Sequence, residues 1–239
     1  MKKNYTILLI LLFMAAGCLK DPDPGPSIPF SSGSYINLYN FLTESYDVAW
    51  EINDVIVESE HPYGTAILEF IEIDEELQDV TFTAKESEST RVIDSEVYEM
   101  EQNQFYTVSI LGNEKDPYII LESMELEKPS LGMVKLRFIH TTLELEPVDL
   151  YIGGHTPEHK VVSGVSFAQI TEYLEATQED LWESIIVTPV NVSPEDSSIL
   201  SYSANNVFLA NNIYLGVIGR ATNSASSSIQ LQLYNQPVN

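Results

Sequence analysis

The chain has 239 residues, and its 36 Asp and Glu outnumber its 11 Lys and Arg, which gives a formal charge of −25 at pH 7. So acidic a chain is a poor candidate for binding nucleic acid, because phosphates need a basic surface. The single Cys excludes an intramolecular disulfide framework and any site built from several Cys. With 44% hydrophobic residues, the chain can form one or two domains that each bury a core.

Residues 1–17 have the pattern of a secretory signal peptide. Two lysines precede an apolar run that is too short to span a bilayer, and the small residues Ala15, Ala16 and Gly17 follow it directly before Cys18. This arrangement resembles the lipobox of bacterial lipoproteins, in which the Cys becomes the lipidated N-terminus. We therefore expect cleavage before Cys18 and membrane attachment through its lipid, with an ordinary secreted protein as the alternative.

Residues 18–34 are rich in Pro, Gly and Ser, a composition typical of a flexible tether. The pair Lys20-Asp21 near its start is similar to the acidic export signal of surface-exposed lipoproteins in some Gram-negative lineages. We therefore expect an outer-membrane lipoprotein exposed at the cell surface. An anchor that faces the periplasm is the alternative.

From Ser34 onward, the sequence predicts an all-β fold. Short runs of β-branched and aromatic residues are separated by turn-forming and acidic residues about every 8–12 positions. In one such run, Val48, Trp50 and Ile52 fall on the same face of a strand, which predicts that Trp50 packs in a core. Helical spacing competes over residues 169–182, which we interpret as a strand followed by a loop or a single turn.

Three similar sequence segments occur twice in the same order, which predicts two tandem β-sandwich domains at 35–128 and 129–239. The matching segments are 36–40 with 135–140, 47–50 with 149–152, and 104–112 with 212–219. The link between the domains carries the Pro and Gly expected at a boundary. Tyr106 and Tyr214 have the same place in each repeat, so we expect each to pack or hydrogen-bond at a corner of its sandwich.

The second repeat carries two distinctive motifs. Its first strand ends in His140, and its next strand begins with Pro, Val and Asp at 147–149, with Tyr151 two residues later. Together with the later strand, these motifs resemble the bacterial domain-of-unknown-function family 4397 over most of residues 133–220. The first repeat departs from them, since Asn40 replaces the His and the Pro is missing. The resemblance implies tandem immunoglobulin-like β-sandwiches on secreted or anchored proteins and no known activity.

Two pairs of polar residues flank the first loop of each repeat. His140 with Asp149 fits an acid–base or metal pair, because an imidazole beside a carboxylate is common in both kinds of site. The first repeat has Asn40 and Asp47 in the corresponding places, and an Asn–Asp pair does not titrate near neutral pH. We therefore expect both pairs to be structural hydrogen bonds that fix the loop.

Residues 155–159 place His155, Glu158 and His159 close together, and His and Glu are ordinary zinc ligands. Pro157 disfavours the helix that would put both His on one face, so a hairpin loop is the better interpretation and no metal or cofactor is predicted. The loop and Trp182 are the candidate binding residues. The 13 Tyr residues also leave open a carbohydrate platform.

The sequence predicts a non-catalytic module on the cell envelope that binds a protein or glycan. It contains no Gly-x-Ser-x-Gly, no Gly-rich phosphate loop and no His-Glu-x-x-His, so we do not predict an enzyme. A structural or accessory lipoprotein of an envelope assembly is the second hypothesis. A hydrolase of unknown substrate is the third, because the carboxylate pairs of glycosidases have no fixed spacing.

Overall fold

Strands dominate the part of the chain that the structure describes. The computed structural model describes residues 32–43, 46–195, 200–202, 208–220 and 229–236. Among these residues, the 16 strands form four sheets and there is a single six-residue α-helix, so the prediction of an all-β sandwich fold is confirmed. Cys18, the predicted signal peptide and most of the predicted tether lie outside the described residues. No helix in the described ranges is long and apolar enough to cross a membrane.

The strands up to residue 123 form the first sandwich, which has two sheets of four strands. Sheet 1 has the order β4-β1-β7-β8 and is formed by β1 (Gly33–Asn40), β4 (Ala66–Glu72), β7 (Phe105–Gly112) and β8 (Pro117–Ser123). Sheet 2 has the order β3-β2-β5-β6 and is formed by β2 (Val48–Ile52), β3 (Val55–His61), β5 (Leu77–Glu86) and β6 (Val92–Glu101). All neighbours are antiparallel except β1 and β7, which run parallel.

Alternating side chains of the two sheets fill the core of the first sandwich. Trp50 is fully buried there with Phe82, Val108 and Met100, so the prediction that its ring packs in the core is confirmed. The indole Nε1 donates a hydrogen bond to Nδ1 of His61, 3.0 Å away. The opposite ring nitrogen of His61 is 3.0 Å from the carbonyl oxygen of Thr65, which fixes its hydrogen on Nε2.

The strands from residue 133 onward form the second sandwich. Sheet 3 has the order β12-β9-β15-β16 and is formed by β9 (Met133–His140), β12 (Leu174–Thr177), β15 (Ile213–Arg220) and β16 (Ile229–Gln236). Sheet 4 has the order β11-β10-β13-β14 and is formed by β10 (Val148–Ile152), β11 (Lys160–Val165), β13 (Ile185–Pro189) and β14 (Leu200–Tyr202). The helix α1 (Gln178–Glu183) follows β12 directly, in line with the strand and single turn expected over 169–182.

The two sandwiches have the same strand order, and β9 and β15 repeat the parallel pairing of β1 and β7. The predicted corner tyrosines are confirmed. The hydroxyl of Tyr106 accepts a hydrogen bond from the backbone N–H of Glu101 at 2.9 Å, and the hydroxyl of Tyr214 accepts one from Leu209 at 3.0 Å. The domain boundary at 128/129 and the immunoglobulin-like assignment stay predictions.

A third apolar cluster lies between the sandwiches. It joins the outer face of sheet 1 to the outer face of sheet 3, and we call it the interface cluster: Tyr39, Phe41, Leu111, Ile120, Ile139, Leu215 and Val217. Tyr234 packs against it, and its hydroxyl donates a hydrogen bond to the carbonyl of Gly64 at 2.7 Å. In the other direction, the hydroxyl of Tyr63 donates to the carbonyl of Arg220 at 3.1 Å. Apolar burial and specific polar bonds therefore both connect the two sandwiches.

Candidate functional site

The predicted binding loop lies between β10 and β11, which pair as the expected hairpin. A short 3₁₀ helix, Pro157–His159, occupies part of it. His155 is exposed, whereas His159 is half-buried and its Nδ1 lies 2.8 Å from the hydroxyl of Thr156. Within the described ranges, no three His, Cys, Asp or Glu side chains converge as a metal site would require.

Trp182, the other predicted binding residue, is half-buried on α1. Thr177 caps the helix by accepting a hydrogen bond from the N–H of Asp180 at 3.1 Å. The end of this helix lies beside the start of the predicted loop, because the N–H of Gly153 donates to the carbonyl of Ser184 at 3.0 Å. The structure therefore places α1 next to the His155 loop.

The expected bond between His140 and Asp149 is replaced by separate bonds to β11. Nδ1 of His140 is 3.1 Å from the carbonyl of Val165, while the carboxylate of Asp149 accepts from Lys160 at 2.6 Å and Ser163 at 2.7 Å. Burial alone would raise the pKa of Asp149, but these hydrogen bonds outweigh it and hold the pKa below its usual value. Both residues bind β11 and not each other, and their structural role stays a prediction.

Asn40 has the role in the first sandwich that His140 has in the second. Its side-chain amide donates to the carbonyl of His61 at 2.7 Å, and His61 pairs with Val48 as Val165 pairs with Val148. Asn40, which has no titrating group, therefore bonds in the first sandwich to the position that His140 binds in the second.

The pairing of Asn40 with Asp47 needs correction. Asn40 bonds to the His61 carbonyl, and Asp47 contributes its backbone carbonyl to the N–H of Ser87 at 2.9 Å. Strand register explains the error. Val48 and Val148 are equivalent, so the counterpart of Asp149 is Ala49 and the counterpart of Asp47 is Pro147. The sequence comparison had aligned these strands two residues out of register.

A cleft of about 670 Å³ lies where the two sandwiches meet. Residues from the end of β8, from the segment after it, from β9 and from the segment before β12 line this cleft: Gln104, Glu122, Ser123, Met124, Glu125, Leu126, Arg137, Ile170, Thr171, Glu172 and Tyr173. Ligand sites commonly form at such junctions between domains. The sequence analysis did not single out any of these residues as a site.

Arg137 forms the floor of the cleft and is only 3% exposed. Its guanidinium donates to the carbonyl of Ser123 at 3.0 Å and to the hydroxyl of Thr107 at 3.2 Å, and it lies 4.7 Å from the ring centroid of Tyr173. Its Nε has no hydrogen-bond partner among the described residues. Burial lowers the pKa of Arg137, although a guanidinium remains charged at any physiological pH. The arrangement places a rigid, desolvated cation beneath a polar opening.

The rim of the cleft is acidic. Glu122, Glu125 and Glu172 are exposed along it, and among the described residues only Glu125 has a basic partner, with Nζ of Lys135 at 3.1 Å. The rim carboxylates can accept several hydrogen bonds from a polyhydroxylated or cationic group. In the sequence, the alternation of residues 135–139 was the feature that could have indicated the cleft. It puts Lys135 and Arg137 on the same strand face as Ile139.

Residues 34–151 match the family model described as a domain of unknown function, DUF4397. Over these residues the chain is similar to DUF4397 domains. The match takes in the first sandwich together with β9 and most of β10, including His140, Asp149 and Tyr151 of the motifs that indicated the family. It ends before the later strand at 213–220, so the DUF4397 match does not have the range that the motifs predicted. No curated protein matches the chain.

Proposed function

We propose that this protein is a lipid-anchored cell-envelope module that binds a ligand without chemical turnover. Attachment through lipid on Cys18 places the folded part at an outer-membrane surface, and the ligand is a glycan or a polar segment of a protein. The observation that carries the proposal is the cleft between the sandwiches, where the acidic rim, Arg137 and Tyr173 come together in a polar cavity.

The size and chemistry of the cleft support a polar ligand. A volume of about 670 Å³ is within the range of about 300–1,000 Å³ usual for small-molecule sites. Hydroxyl groups of a sugar can donate hydrogen bonds to Glu122 and Glu172, and the sugar ring can stack beside Tyr173. An anionic ligand is disfavoured, because residues 35–128 carry 23 acidic against four basic groups, a net charge of −19.

Fixed geometry around the cleft also supports a binding role. Arg137 holds Ser123, and Lys135 donates to the carbonyl of Glu127 at 3.2 Å, so two basic side chains of β9 fasten the link between the sandwiches. Such a site loses little conformational entropy when a ligand enters. The same fastening would suit a structural or accessory lipoprotein of an envelope assembly, which is the second candidate function. A hydrolase is the third, and turnover would be needed to support it.

Binding of the full chain to an array of glycans and extracellular-matrix proteins tests this proposal. We expect saturable binding that is lost in a Glu122→Gln/Glu172→Gln variant, since both side chains are exposed at the rim and the fold does not depend on them. Glu99→Gln, an exposed carboxylate on β6 outside the cleft lining, is the matched control and should bind normally. Equal binding by both variants would show that the cleft is not the binding site. Absence of binding to every arrayed ligand would favour the envelope-assembly role.

The anchor requires its own test. Cells fed a radiolabelled fatty acid should label the wild-type chain, and Cys18→Ala should abolish both the label and the recovery of the protein in the membrane fraction. Membrane recovery of the unlabelled variant would contradict anchoring through Cys18.

A further inference from the structure

Strand β4 is an outermost strand of sheet 1, and its free edge is regular. It pairs with β1 over seven consecutive residue pairs without a bulge. The N–H of Tyr35 on β1 bonds to the carbonyl of Gln104, on the β7 side, so the facing pair of Tyr35 and Phe70 is a pair without hydrogen bonds. The backbone groups of Leu68 and Phe70 therefore point away from β1, to the side of the sheet where the described residues contribute no further strand.

Three other outer strands, β3, β8 and β11, have protected edges. Register shifts interrupt β3 and β11, and the carboxylate of Glu58 accepts from the N–H groups of Ser59 and Glu60 within β3 itself. On β8, Ile119 donates to Asp94 at 2.9 Å and accepts from the hydroxyl of Tyr98 at 2.6 Å. Bulges and side-chain caps of this kind prevent a further strand from pairing. No comparable cap covers Leu68 or Phe70 among the described residues.

The side chains on this edge suit an apolar partner. Leu68 is 53% exposed and Phe70 is 37% exposed on the outer face of the strand. Phe70 is the end of an aromatic row across three strands, since its ring lies 5.1 Å from that of Tyr35, which stacks on Phe105 at 4.9 Å. A β-branched or aromatic side chain opposite Phe70 would extend this row, and such cross-strand pairs stabilise sheets.

The charges on β4 exclude a second copy of the chain as the partner. Glu69 and Glu72 have no ion pair within the described ranges. Pairing of two β4 strands would bring these carboxylates of two copies against each other. It would also bring together residues 35–128 of both copies, each with a net charge of −19. A Lys or Arg opposite Glu69 would instead form a favourable cross-strand pair.

We propose that β4 is a docking edge that adds an extended segment of another protein, with apolar residues opposite Leu68 and Phe70 and a basic residue opposite Glu69. The backbone ladder supplies affinity, and the alternation of apolar and basic side chains supplies selectivity. This surface lies outside the residues that line the cleft, so it is a second interaction site that does not depend on the cleft function.

The test uses the full chain and a short synthetic peptide that alternates Val and Lys. We expect saturable binding with slowed hydrogen exchange at the amides of Leu68 and Phe70. Leu68→Pro should weaken binding about tenfold or more, because it removes an outward donor without removing a bond to β1. Leu68→Ala, which keeps the N–H, should weaken binding less.

The controls separate this edge from the cleft and from a folding defect. A peptide with N-methylated Val residues cannot form the backbone ladder, so it should not bind the wild-type protein. The Glu122→Gln/Glu172→Gln variant should bind the Val-Lys peptide normally. The proposal would be overturned if the peptide did not bind, or if Leu68→Pro or the N-methylated peptide gave equal binding. It would also be overturned if the free chain dimerised and Leu68→Pro abolished the dimer.

Discussion

Replacement of Trp50 with Ala tests how the first sandwich is held together. The ring is fully buried among the side chains of the first core, and removing a buried Trp or Phe side chain costs about 3–5 kcal/mol of stability. The change also leaves Nδ1 of His61 without its donor, and an unpaired buried acceptor costs about 1–3 kcal/mol. We therefore expect a loss of about 4 kcal/mol or more, which is a large part of the stability of a typical domain.

Urea titration followed by far-UV circular dichroism measures this loss. Trp182→Ala is the matched control, because this side chain is half-buried on α1 in the second sandwich and its removal should cost clearly less. A change in the midpoint without a change in slope would show a true loss of stability. A loss below about 1 kcal/mol for Trp50→Ala would refute the assignment of Trp50 to the core.

Three further outcomes follow from the hydrogen bonds. Tyr106→Phe and Tyr214→Phe should each cost about 1 kcal/mol in thermal unfolding, because each leaves one backbone N–H without its acceptor; a loss in only one of them would contradict equivalent corners. Arg137→Ala should cost about 2 kcal/mol or more and speed hydrogen exchange in β7 and β8, and unchanged exchange would argue against its clamping role. Burial lowers the pKa of His61 and His140 below 6.5, so both stay neutral in the folded chain while the unfolded chain binds protons. The free energy of unfolding should therefore be constant just above about pH 6.5 and should decrease as the pH falls below about 6.5. His140→Asn should reduce this decrease in acid titrations.

The inner faces of the sheets could be predicted from the sequence because alternation reports burial directly. Val48, Trp50 and Ile52 repeat every second residue and all three lie in the first core. The corner tyrosines could also be predicted, since their place in a late strand is the same in both repeats. Pro157 and the two glycines before it indicated the hairpin between β10 and β11, which the structure contains.

The outer faces could not be predicted in the same way, because alternation does not say what covers the second face of a sheet. Lys135 and Arg137 alternate with core residues and would normally face water, yet they are 7% and 3% exposed beneath the first sandwich. The cleft was missed for this reason. The register error at Asp47 has a related cause, since a shift of two residues keeps every side chain on its own face and leaves the alternation unchanged.

The abundance of Tyr, which left open a carbohydrate platform, is explained in part by the contact between the sandwiches. Four of the 13 Tyr residues lie at or beside this contact: Tyr39, Tyr63, Tyr173 and Tyr234. Tyrosine suits such a place because its ring is apolar and its hydroxyl still needs a partner. Burial raises the pKa of Tyr39 and Tyr63 to about 12, so their hydroxyls stay neutral donors throughout the physiological range. Directional bonds from Tyr63 and Tyr234 fix how the sandwiches meet, and the cleft of about 670 Å³ therefore has a defined shape before any ligand arrives.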